Sequence, residues 1–351
     1  MRFVFLGLSI TSSWGNGHAV TYRALVAGLR ERGHEVLFLE RDVPWYASSR
    51  DAPRTAALYD SLDDLRSRFE APVRDADAVV VGSYVPEGVA VAEWVLETAH
   101  GVTAFYDIDT PVTLAKLSAG SDDYLAAELV PRFDLYLSFT GGPTLRRLEE
   151  EWGAQRACAL YCAADPELYL PHESTRRWLL GYLGTYSVDR QPKLERLLLE
   201  PARRLMHEAF VVAGPMYPDS VEWPSNLERL EHVAPAEHNL FYAAQAFTLN
   251  VTRTDMTEAG WAPSVRLFEA AACGAPVISD WWEGLDEFFD PGEEILVARR
   301  GDDVVAIVET VGEDERLEIG RRARARVLAE HTPAHRAQQL ETEVAAAGVR
   351  T

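Results

Sequence analysis

Apolar and polar positions alternate along this chain on two scales. Short, almost unbroken apolar runs recur at FVFLGLS (3–9), EVLFLE (35–40), AVVVG (78–82), TAFYD (103–107), DLYLSF (134–139) and CALYCA (158–163). Longer segments between them carry apolar residues three or four apart: TYRALVAGLRERG (21–33), LYDSLDDLRSRFE (58–70), GVAVAEWVLETA (88–99) and PTLRRLEEEWG (143–153). Brief apolar strands separated by amphipathic helices predict a parallel sheet covered on both faces. The first helix ends in Glu31-Arg32-Gly33-His34, which predicts a glycine cap before the next strand.

The pattern then restarts. Residues 164–177, ADPELYLPHESTRR, are polar and proline-bearing and read as a linker. A second strand series follows at 178–184, 210–214, 227–233, 247–252, 276–280 and 294–298, with helices at 189–207, 236–245, 263–273 and 301–310. The tail from about 314 to 347 is helical and charged, with a break at HTPAHR, where Pro333 suits the first turn of a new helix. The expected fold class is α/β: two tandem Rossmann-like doubly wound domains with an inter-domain cleft. Their expected limits are 1–168 and 169–330, with a C-terminal helix, 331–351, packing back on the first domain. Ligands of such domains bind beyond the carboxyl ends of the strands, so the residues just after each apolar run are the candidates.

Charge and cysteine content narrow the partners. The 351 residues carry 34 basic and 55 acidic side chains, a formal net charge of −21. That balance speaks against a nucleic acid or an anionic membrane surface, both of which attract a basic face. A small anion bound locally by arginines and loop N–H groups is compatible with it. The cysteines, Cys158, Cys162 and Cys273, form no disulfide framework and no zinc motif, so no metal is expected and a cytoplasmic location is. No run reaches the roughly 18 apolar residues of a membrane helix, and MRFVFLG lacks the pattern of a signal peptide.

Several loops carry chemistry. The first strand leads into SSWGNGHAV, where Gly15, Asn16 and Gly17 precede His18; glycines let a ligand approach the backbone. The fourth strand ends in FYDIDTPVT, with Asp107 and Asp109. The second domain opens with GYLGTYSVDRQPKLERLL. Gly184 and Thr185 end the strand there, Ser187 or Asp189 can cap the following helix, and Arg190 and Lys193 could neutralise a diphosphate. In APSVRLFEAAACGAPVISD, residues 262–280, Pro263 and Ser264 start a helix that puts Arg266 and Glu269 on one face, and Ser264 and Val265 join them as donor-side candidates. A carboxylate there can accept two ribose hydroxyls. Arg253, after the strand FTLNVT, is a further phosphate candidate. Trp281 and Trp282 read equally as stacking residues or as packing.

SVRLFEAAACGAPVISDWWEGLDEFFDPGEEILVA resembles the donor-site segment of GT-B fold glycosyltransferases, and LGTYSVDRQPKLERL resembles their phosphate turn. GNGHAVTYRALVAGLRERGHEV is similar to their acceptor-side loop and first helix. Together with FYDIDTPVT and VVAGPMYP, these segments resemble the bacterial CgeB-like glycosyltransferases over nearly the whole chain. The resemblance implies a metal-independent hexosyltransferase that needs no cofactor. Its donor would be a nucleoside diphosphate sugar, with UDP the first base to test. Its acceptor would be a small molecule, saccharide or protein bearing a hydroxyl.

The resemblance further implies that Glu269 binds the ribose and that Arg190 faces the diphosphate. His18 would be the base for the acceptor hydroxyl, with Asp107 or Asp109 orienting it or touching the acceptor. One departure stands out. Many retaining members carry a second glutamate eight residues before the ribose glutamate; here Trp261 occupies that position and Glu258 is the nearest acid. A nucleotide-sugar 2-epimerase and a non-catalytic sugar-nucleotide-binding protein are the alternatives on the same fold.

Overall fold

The computed structural model describes residues 1–12, 17–47, 50, 52 and 56–348. It divides into two compact units, Met1–Cys162 with Pro333–Thr351, and Ala163–Thr332. Unit 1 holds seven parallel strands: β1 (Arg2–Gly7), β2 (Glu35–Arg41), β3 (Ala57–Tyr59), β4 (Ala78–Gly82), β5 (Val102–Asp107), β6 (Leu135–Ser138) and β7 (Ala157–Ala159). Their spatial order is β3-β2-β1-β4-β5-β6-β7. Unit 2 holds β8 (Trp178–Leu183), β9 (Phe210–Ala213), β10 (Leu227–Leu230), β11 (Gln245–Asn250), β12 (Val277–Ser279) and β13 (Leu296–Val297), in the order β10-β9-β8-β11-β12-β13. Both sheets run outward from their first strand and then reverse. Each therefore has a topological switch point, β1/β4 in unit 1 and β8/β11 in unit 2, where open α/β sheets bind ligands.

The central strands are buried on both faces, as their continuous apolar runs require. In β1, Val4 and Leu6 join the cluster formed with Val79, Val81 and Phe105. On the other face Phe5 packs against Phe38 and Tyr22. The first helix, His18–Glu31, stops in a Schellman motif: Gly33 N–H bonds Arg30 O at 2.9 Å and His34 N–H bonds Leu29 O at 3.1 Å, with Gly33 at φ +84°. The helix Pro333–Gly348 belongs to unit 1. It crosses the first helix at Gly28, where a Cβ would stand 2.4 Å from Pro333 O. Arg336 Nε anchors it on the Cys162 carbonyl.

Some elements differ from the sequence expectation. The helix placed at 58–70 spans Leu62–Arg74, because the hydroxyl of Ser61 accepts from Asp64 N–H and starts it there; residues 57–59 are the edge strand β3. A helix with no separate expectation from the sequence, Thr110–Ser118, follows β5, with Pro111 in its first turn. The helix expected at 189–207 is in three parts, Gln191–Leu194, a wider π turn at Glu195–Leu199, and Glu200–Arg204. Pro201 has no N–H to continue the ladder, and the backbone widens just before it. Asp189 and Ser187 do not cap this helix; Asp189 accepts from Thr254 N–H at 3.1 Å and so holds the start of the helix Thr254–Ala259.

Candidate active site

In unit 1 the loop after β1 is tied down by a buried acid. Glu40, at the end of β2, is fully enclosed and accepts from Ile10 N–H (2.7 Å), Thr11 N–H (3.0 Å), Thr11 Oγ1 (2.6 Å) and Ser9 Oγ (3.1 Å). A buried carboxylate persists only when its lone pairs are filled, and four donors fill them. Glu40→Gln swaps two of these acceptors for an N–H₂ facing donors. Stability should fall by about 1–3 kcal/mol in urea unfolding; an unchanged midpoint would show that the loop needs no anchor.

That loop delivers His18 to the first turn of its helix, beside the switch point. Gly17 is exposed, and its carbonyl accepts from Thr21 N–H at 3.3 Å. Gly15 and Asn16 lie outside the described residues. His18 is half-buried; its Nδ1 is enclosed and has no hydrogen-bond partner among the described residues. Burial lowers its pKa to about 4, so the imidazole is neutral near pH 7.

The expected pairing of His18 with a carboxylate is not formed among the described residues. Asp107 is fully buried at the end of β5 and is spent internally. It accepts from Tyr136 hydroxyl (2.6 Å), Thr113 Oγ1 (2.7 Å) and Asp109 N–H (3.2 Å). Burial pushes its carboxyl up to about 6 against those bonds. Asp109 accepts from the hydroxyl of Tyr84 at 3.2 Å. It is Tyr84 that meets His18, edge to face with ring centroids 5.4 Å apart. Tyr84 follows β4, on the other side of the switch point, and holds φ +63°, a conformation that costs a bulky residue on the order of 1–3 kcal/mol.

In unit 2 the corresponding turn follows β8. Gly184 leaves room for its neighbours: a Cβ would stand 2.5 Å from the Tyr182 hydroxyl and 2.8 Å from Arg266 Nη2, so both side chains would have to shift. Three guanidinium groups converge on this turn. Arg266 lies over the Tyr182 ring at 5.0 Å, and its Nε is buried with no hydrogen-bond partner. Arg190 donates to Thr185 O at 3.0 Å, and its Nε is likewise buried without one. Arg229, from β10, covers the ring of Tyr217 at 4.3 Å and donates to Gly214 O at 2.9 Å. Tyr217 in turn donates to Gly184 O at 3.1 Å. Burial lowers the Arg229 pKa, and burial pushes the Tyr217 phenol up while all three arginines pull it down.

Other predicted donor residues fall into two groups. Lys193 does not point at this turn. Its Nζ is held by Asp280 Oδ2 (2.8 Å), Thr252 O (2.9 Å) and Thr257 Oγ1 (2.6 Å), which saturate its three donors. Arg253, after β11, stands 3.7 Å from Asp189. Ser264 occupies the cap position of the helix Val265–Ala272, yet its hydroxyl donates to Asn250 Oδ1 at 2.7 Å. Val265 is half-exposed and Glu258 exposed. Glu269 is only 4% exposed. It accepts from Tyr169 hydroxyl at 2.7 Å, and Oε2 stands 3.6 Å from His238 Nδ1, in ion-pair range but too far for a hydrogen bond. Burial raises the Glu269 carboxyl; His238 and Tyr169 outweigh it, and the net shift is downward. Trp282 is packing, 1% exposed and against Phe288, while Trp281 stands beside Arg299.

Residues 190–342 match the family model described as "Glycosyl transferase-like". The matched segment begins at Arg190 and takes in Arg229, Arg266 and Glu269. No curated protein matches the chain. Among solved structures, sucrose-phosphate synthase from Thermosynechococcus elongatus is 12% identical with a TM-score of 0.72, covering 100% of both chains. Anabaena HepE in complex with UDP and glucose is 14% identical with a TM-score of 0.72, covering 99% of this chain and 100% of that one. An alpha-glucosyltransferase in complex with UDP and a DNA 13-mer is 13% identical with a TM-score of 0.72, covering 98% and 99%. At such identities the likeness is one of fold, the two-domain α/β GT-B fold.

Arg229, Tyr217 and Tyr84 were not among the sequence candidates. Arg229 sits inside an apolar-looking edge strand, LERL, where alternation alone reads it as solvent-facing. Tyr84 follows AVVVG in SYVPEG, and its position after a strand end was the one available signal. No group of three or more metal-binding side chains and no helix long and apolar enough to cross a membrane is found among the described residues.

Proposed function

We infer that this chain is a glycosyltransferase moving a sugar from a nucleoside diphosphate sugar to a hydroxyl acceptor. The observation that carries the reading is the convergence of Arg190, Arg229 and Arg266 on the Gly184 turn. Clustered cations with unsatisfied buried N–H groups are costly unless an anion uses them. In a chain of net charge −21, such a concentration of positive charge is local and suits a diphosphate. Fixed guanidinium groups and loop N–H groups stabilise the leaving diphosphate without a metal ion. UDP is the favoured nucleotide, since UDP occupies the similar HepE and alpha-glucosyltransferase structures. The sugar is a hexose and the group CgeB-like, on the residues quoted above. The net charge favours a small, saccharide or protein acceptor over nucleic acid, and the three free cysteines fit the cytoplasm.

Within this reading Glu269 takes the ribose through Oε2, because Tyr169 uses only one of about four acceptor positions of the carboxylate. Unit 1 contributes His18 as the base; Asp107, spent on Tyr136 and Thr113, does not orient it. Glu269→Gln should weaken UDP binding by about 1–3 kcal/mol, the scale of lost charge-assisted hydrogen bonds. Titration calorimetry on the folded variant checks this, and unchanged affinity would remove Glu269 from the donor site.

A further inference from the structure

We propose that Tyr84 is the positioning residue for His18: its ring, held at positive φ and anchored through its hydroxyl on Asp109, fixes the imidazole and walls it off from water and from that carboxylate. The proposal rests on the reading of His18 as the base.

The geometry around Tyr84 is built from several sides. Its hydroxyl donates to Asp109 Oδ2 at 3.2 Å. Its ring lies 4.5 Å from that of Tyr124, and Lys116 Nζ stands 5.1 Å from one ring and 5.0 Å from the other. Tyr124 is itself tied to Thr113 Oγ1 at 2.7 Å, and Thr113 to Asp107. A tyrosine keeps a left-handed backbone only where its surroundings hold it there, and such strain gathers at functional positions. The product of all this fixing is a ring set against His18 at an interplanar angle of 82°.

The consequence is chemical. A histidine paired directly with a carboxylate would hold its proton more tightly. Here the carboxylates near the loop are otherwise engaged: Asp109 with Tyr84, and Asp107 with Tyr136 and Thr113. Lys116 faces Tyr84 and Tyr124, and its ammonium is paired with Asp123 at 2.7 Å. Tyr22, one turn along the same helix, is a buried neutral phenol. Burial is the cause of the downward shift of His18 to about 4, with no carboxylate contributing. The phenol of Tyr84 is pushed far up by burial and by Asp109, so it stays neutral and acts as donor and wall. His18 is thereby neutral through the whole range above about pH 4, the form in which a ring nitrogen can accept a hydrogen bond from a hydroxyl.

The test reads the imidazole itself. His18 is titrated by nitrogen-15 NMR in the full chain, as wild type, Tyr84→Gly and Tyr84→Phe, with His18→Gln to assign the signal. Glycine adopts positive φ freely, so Tyr84→Gly removes the ring without adding backbone strain. The wild-type midpoint should lie near 4. In Tyr84→Gly it should move up toward the ordinary value of about 6.5, and the acid limb of transfer should move with it. In Tyr84→Phe the ring remains and the midpoint should stay near that of the wild type. Should the glycine variant not fold, Tyr84→Asn, which tolerates this backbone region, takes its place with the same expectation. A ring-less variant that titrates like the wild type overturns the proposal. So does a phenylalanine variant that shifts as far as glycine, because the hydroxyl bond rather than the ring would then be responsible. Failure of His18 as a base would appear separately, as unimpaired transfer by His18→Ala.

Discussion

His18→Ala should cut sugar transfer by about 10²–10⁴, the usual contribution of a general base, and leave UDP affinity where it is. The two effects separate because His18 belongs to unit 1 and the arginine cluster to unit 2. The imidazole stays neutral down to about pH 4, so the form a base requires is the one present near pH 7. Wild-type transfer should therefore fall only as pH drops through about 4, since the base must be deprotonated to act. Donor hydrolysis should survive in the variant, because water is a smaller acceptor with a less demanding geometry. Product chromatography from pH 3.5 to 9, beside calorimetry with UDP, measures both halves. Transfer at the wild-type rate and with the wild-type pH profile would leave His18 a shaping residue of its loop.

Lys193→Ala should destabilise unit 2 by about 3–5 kcal/mol, the cost of stripping one partner from a buried ion pair. The side chains of Lys193 and Asp280 are 16% and 7% exposed and sit 2.8 Å apart. Lys193 also bonds the Thr252 carbonyl and Thr257, while Asp280 Oδ1 accepts from Thr252 N–H at 2.9 Å. One ammonium thus ties the helix Gln191–Leu194 to the carboxyl ends of β11 and β12. Burial already pushes the Asp280 carboxyl up, against the pull of Lys193. Without Lys193 it rises further and takes up a proton more readily. The loss should therefore be larger at pH 8 than at pH 5, where protonation relieves the unpaired charge. Adding Asp280→Asn to Lys193→Ala should restore part of the stability. Urea unfolding at both pH values reads these terms; a loss below 1 kcal/mol would mean that solvent already screens the pair.

Much of the fold was legible because strand and helix periods differ. AVVVG marks β4 with its exact limits, and most other apolar runs fall within one or two residues of their strands; CALYCA runs four residues past β7, which ends at Ala159. What escaped was short or at an edge. The strand β3 has three residues, too few to show a period. The strand β10 was expected at 227–233 and ends at Leu230; it is only partly buried, so its pattern did not mark where it stops. At the site, glycine and position after a strand were the signals the sequence offered. Gly184 stood out as a strand-end glycine; that Tyr182 and Arg266 crowd it was not visible in the sequence. Side-chain direction was not legible. Lys193 and Arg190 are three residues apart, yet one turns inward to Asp280 and the other to the Thr185 carbonyl. The Asp-x-Asp pair likewise looked ready to meet His18, but Tyr136 and Thr113 capture Asp107 from inside the sheet edge. Such choices depend on partners distant in sequence, which a single chain does not display.

The central claim is a nucleoside diphosphate sugar site at the Gly184 turn, and calorimetric titration with UDP, GDP, dTDP and ADP tests it most directly. Binding should be saturable and one-to-one, with a clear preference for one nucleotide, UDP first. Arg190→Ala and Arg266→Ala should each lower affinity for the diphosphate far more than for the bare nucleoside. A folded protein that binds none of the four, or variants that lose diphosphate and nucleoside equally, would contradict the claim.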